Sequence, residues 1–548
     1  FKNKYYNLDP IGRVKSCNDL KLAYYNKFFI FFMSDEVKTI CCIGAGYVGG
    51  PTMAVIAYKC RNLKVIVVDL NKDKIDSWNN EDLTKLPVYE PGLKDLIRRC
   101  RGKNLFFSTE IQQSIAESDM VFISVNTPTK QTGLGAGEAS DLKYIESSAR
   151  SIAEFATGNT IVVEKSTIPV KTAEVIKTIL ISSQKGLEKN ATKSFTVLSS
   201  PEFLAEGTAI DDLMNPSRVL IGGDSETSIN ALVNIYKNWV SEEKIIKTNI
   251  WSSELSKLTA NAFLAQRVSS INSISALCEK TGADVREVAK AVGMDYRIGR
   301  HFLKSGPGFG GSCFKKDILN LVYICKLYGL KEVANYWNEV LKINRWQQNR
   351  LTNIVVKKLF GTVTNKKIGI LGFAFKGNTN DTRESSSIPI SSDLIINGAS
   401  LKIYDPLADK KQIIQDLTTY LEFRNLDLKD IKSLLNQVKI YNTLSECLSN
   451  SSAIIVLTEW DEFKQIDWQN YRLNIIDSNQ QENNTNVKSL FNVVNMTVTN
   501  IGKRTLKNRL LFPITNINKL NERYDLAEYF INNPEILKGM KSELKNIS

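Results

Sequence analysis

Histidine is nearly missing from this chain: among 548 residues there is only His301. That count excludes Ser-His-Asp triads, His–Asp dyads and metal sites built on several histidines. The nine cysteines (17, 41, 42, 60, 100, 278, 313, 325, 447) include no CxxC pair and no metal-ligand spacing. Most sit inside apolar runs, the pattern of reduced thiols in a cytoplasmic protein and not of a disulfide framework. Long apolar stretches are missing as well. Phe28-Phe29-Ile30-Phe31-Phe32-Met33 is too short to span a bilayer and lacks the small-residue cleavage site of a signal peptide. A soluble protein with no membrane segment is expected, and any catalysis must rest on Lys, Cys and carboxylates.

What the chain has is an ordinary globular composition, 43% apolar and 24% charged, with a net charge of +13. Residues 1–33 and 501–548 each carry +4, leaving +5 spread over the long middle without a basic run or an aromatic-basic stripe. Nucleic acid is the weaker reading of that excess; a binder of phosphorylated small molecules fits it as well. Residues 1–35 read as an N-terminal extension, with Met33-Ser34-Asp35-Glu36 resembling a natural beginning. From there to 250, short Val/Ile-rich strands alternate with amphipathic helices, which predicts βαβ units on a parallel sheet. Helical periodicity fills 251–360, a second βα block fills 361–500, and 501–548 is a polar tail. The expected fold class is α/β, two doubly wound domains joined by a helical middle.

Thr39-Ile40-Cys41-Cys42-Ile43 is a strand leading into Gly44-Ala45-Gly46-Tyr47-Val48-Gly49, and the next strand, Lys64 to Val68, ends on Asp69. Gly44 permits the tight turn, Gly46 lets backbone approach a pyrophosphate, and Gly49 lets helix and strand pack closely. Asp69 is placed to accept from an adenosine ribose and to repel a 2′-phosphate, favouring NAD over NADP. A lone GxGxxG is also what a plain glycine turn looks like; strand, helix, second strand and terminal acid together make the fingerprint.

Gly306-Pro307-Gly308-Phe309-Gly310-Gly311-Ser312-Cys313 runs into a helix over 318–327. A thiol at a helix N-terminus beside lysines is expected to have a depressed pKa and to act as a nucleophile, with Asp317 one turn along the same face. The glycines are expected to let backbone approach a ligand, since packing offers no evident need for so many; the alternative is a buried structural cysteine. A nucleophilic Cys beside an NAD site points to oxidation of an aldehyde, or of an alcohol through the aldehyde, by way of a thioester. Lys257 and Asn261 share a helix face and can stabilise an oxyanion, though alone the lysine also reads as solvated. Glu202, in Ser200-Pro201-Glu202-Phe203-Leu204-Ala205-Glu206, offers a general base, and the segment alone also reads as a loop and helix cap.

Together these motifs resemble the UDP-glucose 6-dehydrogenase family, within the wider UDP-glucose/GDP-mannose dehydrogenase superfamily. The likeness runs over roughly 36–478, through ICCIGAGYVGGPT, YEPGLKDLI, VFISVNTPTK, EKSTIPV, SPEFLAEGTAI, NPSRVLIGGD, GFGGSCF, GFAFKGNTNDTRESS and TEWDEF. It implies two Rossmann-like domains joined by a long central helix, NAD on the first, and a four-electron oxidation of UDP-glucose to UDP-glucuronate. It implies Cys313 as nucleophile, Lys257, Asn261 and Asp317 on water and oxyanions, Glu202 in hydrolysis, and Thr167 beside the catalytic water. For the cofactor it implies Gly44, Gly46, Tyr47, Val48, Gly49, Asp69, Lys74, Val125, Thr127, Thr167, Glu206 and Arg383. For the sugar nucleotide it implies Glu202, Phe203, Leu204, Glu206, Lys257, Asn261, Phe302, Leu303, Lys304, Phe309, Gly310, Phe314, Phe375 and Lys376. Arg297 matches an arginine that reaches a neighbouring subunit's site, so a homo-oligomer, dimer or hexamer, is implied; no metal is.

Two departures stand out from the resemblance. Asp477 is followed by Ser478-Asn479-Gln480, where family members commonly carry an arginine on the nucleotide sugar. Losing one charge-assisted contact costs about 1.5–3 kcal/mol. Lys315 stands where many members have Gln, and its added charge is expected to favour the Cys313 thiolate. Other readings remain open: a dehydrogenase of GDP-mannose or UDP-N-acetylmannosamine, or a non-catalytic binder of NAD and a UDP-sugar.

Overall fold

Residues 37–182, 193–468, 474–477 and 517–544 are described by the computed structural model. The expected extension at 1–35, the Ser478–Gln480 departure and residues 501–516 and 545–548 of the tail lie outside them. Eight strands form the first sheet: β1 (Thr39–Ile43), β2 (Lys64–Val68), β3 (Leu105–Ser108), β4 (Met120–Ile123), β5 (Asn159–Glu164), β6 (Ser194–Ser199), β7 (Val219–Gly222) and β8 (Ile245–Thr248). Their order is β3-β2-β1-β4-β5-β6-β7-β8. All neighbours run parallel except β6 and β7, which meet antiparallel at Ser199 and Gly222. The inner strands are apolar without interruption because helices cover both faces; Ile40, Cys41 and Cys42 are all sealed from solvent. Helix α1 (Gly49–Lys59) follows β1 and is buried along most of its length.

A second sheet, β9 (Lys367–Leu371), β10 (Ser400–Tyr404), β11 (Val438–Ile440), β12 (Ala453–Val456) and β13 (Asn474–Asp477), is parallel throughout in the order β11-β10-β9-β12-β13. Between the sheets lie α2 (Ile250–Thr281), α3 (Phe314–Leu327) and α4 (Lys331–Lys358). Asn249 caps the first turn of α2 by accepting from the Ser252 N–H, and Gly282, at φ +83, ends it. The buried side of α2 is unusual. It carries Ser253, Glu254, Lys257, Asn261, Ser269, Asn272 and Ser275 among its small apolar residues. A buried helix face this polar must find partners for each group, and those partners build the site.

Candidate active site

In a doubly wound sheet, ligands bind beyond the carboxyl ends of the strands, where the strand order reverses. Here that point lies between β1 and β4. The turn after β1 holds Gly44 at φ +110, where an added Cβ would meet the Ser124 carbonyl oxygen at 2.3 Å. At Gly49 a Cβ would lie 2.0 Å from the Gly44 oxygen, so the expected close packing is real. Gly46 meets nothing within 4 Å. Val48 stands at the N-cap of α1 without a side-chain cap; Gly50 donates to the Gly46 carbonyl at 3.1 Å and Pro51 has no N–H, so the backbone at Tyr47–Gly49 is what the turn presents to a phosphate. Asp69 directly follows β2; it accepts from the Ala45 N–H at 3.0 Å and pairs with Lys74 at 2.9 Å. Although burial opposes it, the Lys74 and backbone donors hold this carboxyl below its usual range. The open space at Gly46, the uncapped helix and the ionised acid fit a dinucleotide.

Cys313 is the N-cap of α3, which begins at Phe314, four residues before the expected start. Around it a line of hydrogen bonds, joined by one ion pair, crosses from α2 towards the first sheet. Lys257 Nζ donates to Asn261 Oδ1 at 3.3 Å, and Asn261 Nδ2 donates to Asp317 Oδ2 at 2.6 Å. Asp317 Oδ1 pairs with Lys316 at 2.9 Å. Lys316 in turn donates to the Thr127 hydroxyl at 3.1 Å, and that hydroxyl donates to the Thr167 carbonyl at 2.8 Å. Burial lowers the Lys257 pKa, against the pull of Cys313, Asp317 and Glu202. The lysine is thus a ready proton donor and acceptor.

Two expectations about Cys313 are corrected. Its thiol pKa is raised, not depressed: the surrounding protein desolvates it and the Asp317 carboxylate opposes its charge, outweighing Lys257 and Lys316. Its sulfur nevertheless opens to the cleft, whereas the other described cysteines are buried. Lys315 does not favour the thiolate, because Glu384 holds its ammonium at 3.0 and 2.9 Å. The glycines too answer to packing. A Cβ at Gly308 would meet Asn344 Oδ1 at 2.7 Å, and one at Gly310 the Glu384 carbonyl oxygen at 2.5 Å. The loop is clamped by amides: Asn344 binds both the N–H and the carbonyl of Phe309, Asn272 accepts from the Gly306 N–H, and Gln347 donates to the Gly306 carbonyl.

Glu202 accepts from the Phe203 and Leu204 N–H groups at 2.8 and 3.2 Å and pairs with Lys165 at 3.1 Å. Leu204 packs on the core of the first sheet. Ser166 reaches back to the Val125 carbonyl at 2.7 Å. Tyr47 donates to Asn380 at 2.9 Å, and Arg383 joins Asp381 and Glu206, the latter at 3.2 Å. Burial and the adjacent Asp381 push the Glu206 carboxyl up, while Arg383 keeps Asp381 ionised. Phe302, at φ +60, and Phe309 both turn their rings towards Phe314. Phe375 lies against Gly310 and Gly311, and Lys376, whose pKa burial lowers, stands near Glu206. Lys304 pairs with Glu459, and Leu303 and Lys304 line a neighbouring hollow of about 330 Å³. Arg297 is not brought to these groups; it lies exposed, bound to its own Asp295. Lys165, Lys316, Asn272 and Asn344 were not singled out by sequence; Lys165 and Lys316 stand beside residues of the quoted motifs, whereas Asn344 lies 35 residues from the loop it holds.

Three descriptions within one family match the chain in register with this geometry: the NAD binding domain over residues 38–240, the central domain over 251–346 and the UDP binding domain over 369–481. The chain belongs to the UDP-glucose/GDP-mannose dehydrogenase family. Within this family it is 55% identical to UDP-glucose 6-dehydrogenase 4 of Arabidopsis thaliana over 437 residues, covering 78% of this chain and 89% of that one. It is 55% identical to the UDP-glucose 6-dehydrogenase of Bos taurus over 438 residues, 79% and 86% of the two chains. A solved UDP-glucose dehydrogenase from Pyrobaculum islandicum superposes with a TM-score of 0.69 at 27% identity, covering 82% of this chain and 95% of that one. Residues 471–548 also match MutS domain III.

Proposed function

We propose that this chain oxidises UDP-glucose to UDP-glucuronate, consuming two NAD and one water. The gathering of Cys313, Lys257, Asn261, Asp317 and Glu202 beside the β1–β4 crevice carries the reading. When bound, NAD accepts one hydride in each of the two oxidations. The turn at Gly44, Gly46 and Gly49, Asp69 with Lys74, and Thr127 hold it. Lys257 takes the proton of the substrate hydroxyl, and its charge with the Asn261 amide steadies the oxygen as it becomes anionic. The Cys313 sulfur adds to the aldehyde carbon while Lys257 gives its proton to the aldehyde oxygen and takes the thiol proton in return, and the second oxidation leaves a thioester on that sulfur. Water then attacks the thioester carbonyl and gives a proton to Glu202; the carbon–sulfur bond breaks and its electron pair returns to Cys313. Lys304, Lys376, Phe302 and Phe375 line the sugar-nucleotide side.

We take the chain to divide at 36–250, 251–360 and 361–500, a reading that the two sheets and the helices between them in sequence support. Arg297, exposed here, serves a neighbouring copy in a homo-oligomer, and the protein works in the cytoplasm; no described helix is long and apolar enough to cross a membrane. The test is Cys313→Ala with UDP-glucose, GDP-mannose and UDP-N-acetylmannosamine as substrates. The variant is expected to retain NAD binding and lose at least 10²-fold in formation of the acid, with UDP-glucose the preferred sugar in the parent. Undiminished acid formation by Cys313→Ala would reject the covalent route.

A further inference from the structure

We propose that Lys165 is a positioning residue for the hydrolytic half of the reaction, aiming one free lone pair of Glu202 at the attacking water. The proposal rests on the reading above, in which Glu202 takes the water's proton. Lys165 directly follows β5 and is only 3% exposed. Its ammonium reaches two acceptors, Glu202 Oε2 at 3.1 Å and the Tyr236 hydroxyl at 3.0 Å. Tyr236 is itself 3% exposed. A lysine sealed from water in this way is expensive unless its charge is compensated. Burial works against that charge, but Glu202 and Tyr236 outweigh it and hold the lysine above its usual range.

The arrangement leaves Glu202 little freedom. An ionised carboxylate offers about four lone-pair positions. The Phe203 and Leu204 N–H groups take both positions on Oε1, and Lys165 takes one on Oε2. One remains, on Oε2, and its direction is set by the lysine. The other charges on this side are Lys257 and Arg218, whose cationic groups lie 5.2 and 3.9 Å from the Phe203 ring centroid. Neither is paired with Glu202. Lys165 also begins the Lys165-Ser166-Thr167 strap, whose next residues bind Val125 and Thr127 near the cofactor turn. The group that orients the base is thus fixed to the same strap as the loops beside the cofactor.

The chemistry assigns Lys165 to one step. In hydrolysis the water oxygen bonds to the thioester carbon, one water proton passes to Glu202, and the sulfur leaves with the electron pair of the broken bond. Both hydride transfers precede this and do not use Glu202. The experiment compares the parent with Lys165→Met and Tyr236→Phe by rapid mixing with UDP-glucose and NAD, followed by mass analysis of the Cys313 peptide. Lys165→Met is expected to give a burst of two NADH per site at a rate within threefold of the parent. Steady turnover then falls at least tenfold, with an acyl adduct accumulating on Cys313. Its acid limb of steady turnover moves up by about one pH unit. Tyr236→Phe shows the same burst with a two- to fivefold loss, and it decides the matter if Lys165→Met does not fold. Burst and steady rate falling together, or no adduct on Cys313, would overturn the proposal and leave Lys165 a structural ion pair. A parent that forms no NADH from UDP-glucose would instead overturn the functional reading on which the proposal stands.

Discussion

At Cys313 the local charges pull in opposite directions. Lys257 and Lys316 favour the thiolate, whereas desolvation and Asp317 resist it, and the resistance prevails. Reactivity at this sulfur is therefore released by pH or by substrate, not stored in a resting thiolate. Alkylation of Cys313 by iodoacetamide, followed on its peptide, is expected to accelerate as pH rises past neutrality. Asp317→Asn should raise the rate at pH 7 several-fold, since an opposing anion is gone, and Lys257→Met should lower it. Lys315→Gln should leave it unchanged because Glu384 already neutralises that lysine; a large drop would show that Lys315 acts on the sulfur after all. At this scale the sequence was informative where chemistry-bearing residues share a helix face, as Lys257 and Asn261 do. It was silent on Lys316, which reads as a solvated charge until the fold brings Thr127 to it, and misleading on the thiol, because desolvation is a property of the packed site.

At the scale of elements, α2 is anchored to the first sheet through two acids. Glu254 accepts from the Lys171 and Ala173 N–H groups at 2.6 and 2.8 Å. Against it lies Glu164, at the end of β5, wholly buried, given no hydrogen-bond donor by the described residues around it and, when protonated, donating to the Glu254 carboxylate. Burial raises both pKa values, and at Glu164 the Glu254 charge adds to the rise, so the folded pair retains a proton that the unfolded chain has lost. The folded state thus binds more protons, and stability must fall as pH rises from the ordinary carboxylate range towards the raised folded values. Glu164→Gln, whose amide can donate to Glu254, is expected to shrink the drop in melting temperature between pH 5.5 and 8.5. An unchanged drop would mean that the pair shares no proton. Asn344→Ala should cost about 1–3 kcal/mol for each Phe309 group it strands and lower the melting temperature by several degrees. The glycine fingerprint after β1 was legible because its turn, helix and acid are close in sequence. The amide clamp on the 306–311 loop was not, since Asn344 lies 35 residues from its partner and looks like any polar residue on a helix.

For the molecule as a whole, the alternation of strands and helices made both sheets and the helical middle readable in advance. How the two sheets face each other was not readable, because the contacts that set it are remote. Tyr47 and Asn380 are 333 residues apart, and Glu206 and Arg383 are 177 apart. Those links place the carboxyl ends of both sheets around Cys313, with the cofactor turn on one side and the Phe375–Lys376 segment on the other. The proposed function requires this site to hold one sugar nucleotide through two oxidations without releasing the aldehyde. The most direct test is to count NADH formed from limiting UDP-glucose with excess NAD. The account predicts two NADH and one UDP-glucuronate per UDP-glucose, with no free aldehyde to trap. One NADH per sugar with a trappable aldehyde would contradict it.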